Sequence, residues 1–222
     1  MVAAVNPAVK RLRATDGRVP GRRGQATRRK LLDTTAALLE TTSYRTVKVI
    51  DIAREAGTSP ATFYQYFADV EQAVLVLAEE VARDAVQLTE FVRGDWSPEA
   101  SDATARAVVE RFMDFWEGHR AVLRVVELAT EEGDLRFQRL RVRALNTLTE
   151  SLRETIAELQ ERQQLPADVD PFATAGVLVS MLAHVGSHRY GFEFWGIRTA
   201  SLVDSLTGIL HWTVTGRAPR SA

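Results

Sequence analysis

The chain has 222 residues, a net charge of −1 and no cysteine. That suits one or two globular domains and excludes a disulfide framework, a zinc–thiolate site and a cysteine nucleophile. The charge is unevenly placed: residues 1–30 hold nine basic residues and one acid, which suits a nucleic-acid-facing end on an acidic body.

Residues 1–22, with Pro7, Gly17, Pro20 and Gly21 among many charges, read as a disordered basic arm. The stretch lacks the apolar core of a signal peptide, and no apolar run in the chain is long enough to span a bilayer. A cytoplasmic protein is expected. A first helix is expected over about 25–42, buried through Leu31, Leu32, Thr35, Leu38 and Leu39. Arg22, Arg23 and Arg28 in the basic run leading into it are candidates for contacts to DNA phosphates.

The most informative stretch is Val49 to Phe67. Ile52, Ala53 and Ala56 give a short helix an apolar face. Gly57 can take the positive φ of a tight turn. Ser59 is placed to cap a second helix, with Pro60 in its first turn. Phe63 and Phe67 share one face, which leaves Thr62, Tyr64, Gln65 and Tyr66 to project elsewhere. Two helices about a tight turn, the second bearing polar and aromatic groups, describe a helix-turn-helix at about 47–67, in which the second helix enters the major groove.

Ile52-Ala53, Ala56-Gly57, Ser59, Ala61-Thr62-Phe63-Tyr64 and Tyr66-Phe67 closely resemble the DNA-binding end of the TetR family of transcriptional regulators. The chain departs from that pattern at Lys48, where the family often has a hydroxyl cap, and at Val70, where it tends to have a phosphate-contacting Lys. The resemblance implies an all-α protein: a three-helix helix-turn-helix domain at 23–69, and a larger helical ligand-binding and dimerisation domain at 70–217. It also implies contacts to double-stranded DNA from Ser59, Pro60, Thr62, Tyr64, Gln65 and Tyr66; the Lys48 ammonium, itself a departure from the pattern, is suited to meet a phosphate directly. Tyrosines suit phosphates; Thr62 and Gln65 suit base edges.

Asp69 and Gln72 form a capping box for a long helix over about 70–93. Gly94 to Pro98 breaks it. Further helices are expected at about 98–117, 119–131, 134–163, 171–189 and 198–215, with Gly118, Gly133, Pro166, Pro171, Gly191 and Gly196 as breaks. No segment alternates with period two, so no sheet is expected.

The helix from Pro171 is apolar on two sides. One side, Phe172, Ala175, Gly176, Val179, Ala183 and Gly186, is mostly small; the other carries Val177, Met181, His184 and His188. In TetR-like proteins the last two helices pair across a two-fold axis. By that resemblance the small face makes the homodimer and the Val177 face looks inward.

The run from Phe112 to Arg124 is similar to the EthR-type branch of the family, whose body encloses an apolar tunnel for hydrophobic molecules. By register the resemblance puts Val109, Phe112, Trp116, Leu140, Val177, Ser180, His184 and Trp212 along such a tunnel. His184 and His188, four apart, have a metal-ligand spacing, but nothing around them resembles H-E-x-x-H. No metal, no cofactor and no catalytic residue are expected.

The sequence therefore points to a dimeric transcriptional repressor released from a palindromic operator by a hydrophobic small molecule. Its rivals are a helical small-molecule binder that has lost DNA binding and a DNA-binding protein that answers to no ligand.

Overall fold

The structure is a computed structural model that describes residues 21–217; all but the end of the basic arm lies outside them. The described residues form helices α1 (Arg22–Thr41), α2 (Val49–Glu55), α3 (Pro60–Tyr66), α4 (Val70–Asp84), α5 (Leu88–Val92), α6 (Ser101–Gly118), α7 (Arg120–Glu131), α8 (Leu135–Glu161), α9 (Pro171–Phe194) and α10 (Thr199–Thr215), and no strand. A 3-10 turn, Ala85–Gln87, joins α4 to α5 in place of the one continuous helix that the sequence suggests. None of these helices is long and apolar enough to cross a membrane.

The fold divides into two compact units. The first holds residues 21–80 together with 121–138, and the second holds 81–120 together with 139 onward. The first unit thus reaches past the expected boundary at residue 69 and takes in nearly all of α7.

In the first unit α1 packs against α2 and α3, which pack on each other. Leu31, Leu32, Thr35 and Leu39 of α1 are buried, as the period of the sequence requires, while Leu38, expected with them, is only half-buried. Arg29 ties α1 to α4 by donating 2.6 Å to Glu80, and it also bonds Asp33 at 2.7 Å. Asp69 caps α4, accepting from the Gln72 N–H at 2.7 Å, but the expected capping box does not close: the Gln72 side chain accepts from the Ala68 N–H at 2.5 Å, one residue before Asp69. Arg136 bridges Glu71 at 2.5 Å and Asp134 at 2.6 Å, joining the starts of α4 and α8.

In the second unit α6 is the central helix, with α5, α9 and α10 packed on it. Its buried side is Ala105, Val108, Val109, Phe112, Met113 and Trp116. Asp170 caps α9, accepting from the Phe172 and Ala173 N–H groups, with Pro171 in the first turn. α9 runs through Gly191 and stops only before Gly196, whose φ is +83°. A glycine inside a helix weakens it; a left-handed glycine ends it.

Candidate functional site

The turn between α2 and α3 is built by its residues in the order the sequence suggests. Gly57 has φ +61°, and the Thr58 N–H reaches back 2.8 Å to the Ala53 carbonyl, closing α2. Ser59 caps α3, its Oγ accepting from the Thr62 N–H at 3.1 Å. Phe63 and Phe67, fully buried with ring centroids 5.4 Å apart, anchor α3 against the domain beside Ile52, Ala53 and Ala56. The recognition helix is thus held by its inner face.

Its outer face is presented to solvent. Tyr64 is 51% exposed, Gln65 is exposed, and Thr62 and Tyr66 are half-buried. Ser59 and Pro60 are exposed at the N-terminal end of the same helix. Lys48 is exposed at the start of α2, and its side chain makes no capping bond. The Thr46 hydroxyl nearby donates to the Ser43 carbonyl at 2.9 Å.

Arg22 and Arg23 stand exposed in the first turn of α1. Arg28 does not stand with them. Its guanidinium lies 5.3 Å above the Phe67 ring, half-buried, and that burial lowers its pKa. Its cation braces the back of the recognition helix, a role that the basic run alone does not signal.

A groove beside α3 is lined by Tyr44, Arg45, Lys48, Ile50, Tyr64 and Val70 among others. Tyr44 does not stand out in the sequence. Burial, with Glu71 and Asp69 nearby, pushes its phenol up to about 12, so it stays a neutral hydrogen-bond donor.

The second unit corrects the sequence reading of α9. Ala175, Val179 and Ala183 are buried, at 0%, 2% and 2% exposure, and Gly186 is buried against α6. A Cβ on Gly186 would stand 3.0 Å from Trp116 Cγ. The small face therefore lets α9 approach α6 within the chain and is not open to a second copy. The other face is the exposed one: Val177 is 69% exposed, and Ser180, His184 and His188 follow it along the helix. Trp212 of α10 is 62% exposed.

The eight expected tunnel residues accordingly fall into two groups. Val109, Phe112 and Trp116 on α6 and Leu140 on α8 are buried, with the Phe112 and Trp116 rings stacked 5.9 Å apart. Val177, Ser180, His184 and Trp212 lie on outward faces. In sequence the small residues suggest a surface for a second copy; in the structure they are buried within the chain, and Gly186 among them makes room for the Trp116 indole on α6. His184 and His188 do stack, with centroids 4.1 Å apart. No group of three or more His, Asp or Glu able to hold a metal occurs among the described residues.

A buried polar pair, Ser101 Oγ to His211 Nε2 at 3.0 Å, also escapes sequence reasoning. Ser101 looks like a helix start and His211 like part of an apolar helix, and neither carries a signal that they meet.

A capped recognition helix, seated by its aromatic face and open on its polar face, on an all-helical chain, defines a helix-turn-helix DNA-binding protein. Family comparison gives the same class. Residues 31–73 match the bacterial regulatory proteins of the tetR family, and residues 88–221 match the tetracyclin repressor-like C-terminal domain. The chain belongs to the TetR family of transcriptional regulators. No curated protein sequence matches it.

Solved structures share the fold. The fatty acid degradation regulator FadR from Bacillus halodurans superposes with a TM-score of 0.66 at 15% identity, over 91% of this chain and all of that one. FadR from Bacillus subtilis, in complex with stearoyl-CoA, gives 0.63 at 15% identity over 85% of this chain and 98% of that one. FadR from Thermus thermophilus, in complex with lauroyl-CoA, gives 0.56 at 18% identity over 88% and 97%.

Proposed function

We propose that this regulator is a cytoplasmic repressor that binds a palindromic operator as a homodimer and leaves it when a hydrophobic small molecule binds the second unit. The observation that carries the reading is the geometry of α3. Ser59 and Pro60 fix where the helix starts, Phe63 and Phe67 fix how it is seated, and Thr62, Tyr64, Gln65 and Tyr66 occupy its outer side. Lys48, Arg22, Arg23 and the basic residues before them supply affinity that does not depend on sequence.

Dimerisation is assigned to the outward faces of α9 and α10. Val177, Ile209 and Trp212 are exposed there at 69%, 45% and 62%. Large apolar groups left open along helices call for a partner. Two recognition helices on one face of a duplex read half-sites about 34–36 Å apart, so dimerisation and operator reading stand or fall together.

The effector is assigned to the buried aromatic side of α6, beside Phe112 and Trp116, and not to the outward group of Val177, Ser180, His184 and Trp212. The acyl-CoA complexes of the two FadR relatives support an apolar ligand class. α4 is the natural transmitter, because its residues up to Glu80 belong to the first unit and the rest to the second. A displacement of a few ångströms along it would spoil the half-site spacing.

A gel-shift assay with duplex DNA from the region upstream of the protein's own gene tests this reading, run with lauroyl-CoA, stearoyl-CoA and no addition. The expected result is a specific complex weakened by an acyl-CoA, with a coupling of about 1–3 kcal/mol, roughly 5- to 150-fold in affinity. Binding that no apolar probe changes would leave a DNA-binding protein without this effector class. Ligand binding without a DNA complex would leave a small-molecule binder.

A further inference from the structure

A cavity of about 430 Å³ opens in the second unit between the Arg93–Pro98 loop and the C-terminal half of α8. It shares no residue with the aromatic side of α6 or with the outward faces of α9 and α10. Its first wall is held rigidly. The Trp96 indole donates to the Val92 carbonyl at 2.7 Å, Asp95 accepts from the Ser97 N–H at 2.8 Å, and Thr104 donates to the Asp95 carbonyl at 2.6 Å. Gly94 sits so close to α6 that a Cβ would fall 2.9 Å from Thr104 Cγ2. The wall exists before any ligand arrives.

The opposite wall is α8, with Ser151 and Thr155 one turn apart. Thr155 donates its hydroxyl proton to the Ser151 carbonyl at 3.1 Å, which leaves its oxygen free to accept. Ser151 is 3% exposed, and its Oγ is buried without a hydrogen-bond partner. A buried hydroxyl with no partner is costly, and Ser151 is one of the residues that line the cavity.

The rim carries charge in opposed pairs. Arg93 lies 4.0 Å from Glu154, and Arg162 lies 3.7 Å from Glu158. An ionic ligand would bind one member of each pair and oppose the other. A neutral hydroxyl can donate to the carboxylate and accept from the guanidinium without separating them. Trp96, Pro98 and Leu159 add apolar surface.

We propose that this cavity binds a small neutral polyhydroxy molecule of the monosaccharide or polyol class, anchored at its floor by Ser151 Oγ. The site is independent of the apolar effector reading, and its test does not involve DNA.

The test is calorimetric titration and thermal melting of the full chain with glucose, ribose and myo-inositol as neutral probes, and with arginine and citrate as charged ones. At least one neutral probe binds and raises Tm. Ser151→Ala leaves the ligand-free Tm unchanged or higher, because the hydroxyl has no partner to lose, yet weakens that binding about tenfold or more. Glu158→Gln, on the exposed rim, weakens it less. The proposal is overturned if no neutral probe binds, if only a charged one does, or if Ser151→Ala binds as the wild type does. A ligand-free Ser151→Ala protein that melts lower would give the hydroxyl a structural partner and overturn its role as anchor.

Discussion

Ser101 Oγ and His211 Nε2 meet at 3.0 Å between the first turn of α6 and the last turns of α10, both residues more than nine-tenths buried. His211 lies between Thr207 and Thr215 on a buried polar stripe of α10, and its Nδ1 has no partner. The pair fixes how α10 lies on α6.

Removing one partner should be worse than removing both. Ser101→Ala strands a second imidazole nitrogen and should cost about 1–3 kcal/mol, a fall in Tm of roughly 2–4 °C per kcal/mol for a chain of this size. Ser101→Ala with His211→Leu should recover most of that loss, because two apolar groups ask for no hydrogen bond. Thermal denaturation of the three variants measures it; a double variant less stable than Ser101→Ala would show that the stripe depends on the imidazole for more than this bond.

Gly94→Ala should destabilise the second unit by about 1–3 kcal/mol. The added methyl meets Thr104 Cγ2 at 2.9 Å and the Phe91 carbonyl at 3.1 Å, and moving Thr104 breaks its bond to the Asp95 carbonyl. Urea denaturation gives the change in stability, and wild-type stability would mean the loop yields freely.

Asp134 gives the first unit an acid-side dependence. Its carboxylate accepts from the Arg136 guanidinium and N–H, which hold its pKa down at about 2 against an ordinary 3.8. Because the folded value is the lower one, the stabilisation is complete above about pH 4 and drains away as the pH falls toward 2. Asp134→Asn should show a smaller loss of Tm across that window than the wild type; identical slopes would remove Asp134 from the account.

How far the sequence can be read depends on whether a residue's role is local. The helix-turn-helix is legible because Gly57, Ser59-Pro60 and the Phe63/Phe67 spacing each act within a few residues, and the structure places each in its expected local role. α9 is legible as a helix but not as a surface. Its two apolar sides are both present in sequence, and only the position of Trp116 decides that the small one faces inward. Arg28 over Phe67 and Ser101 beside His211 join residues far apart in the chain, and no period or cap signals such meetings.

The α9 correction moves the expected dimer surface. Val177→Arg with Trp212→Glu should give a folded monomer that no longer binds operator, whereas Ala183→Arg should fail to fold properly, since it puts a charge on the side of α9 that packs against α6. Light scattering and circular dichroism separate the cases. A dimer unchanged by the first pair of substitutions would place the interface elsewhere.

Fluorescence anisotropy of the full chain on labelled upstream duplex, against a scrambled duplex of equal length, tests most directly whether α3 reads DNA. The wild type should prefer the upstream duplex. Replacing Thr62 and Gln65 with Ala should cost about 1–3 kcal/mol of discrimination for each base-edge hydrogen bond removed, while Lys48→Ala should weaken binding to both duplexes alike and flatten the salt dependence. Equal wild-type affinity for the two duplexes, or full discrimination by the Thr62/Gln65 variant, would contradict the assignment of α3 as the reading element.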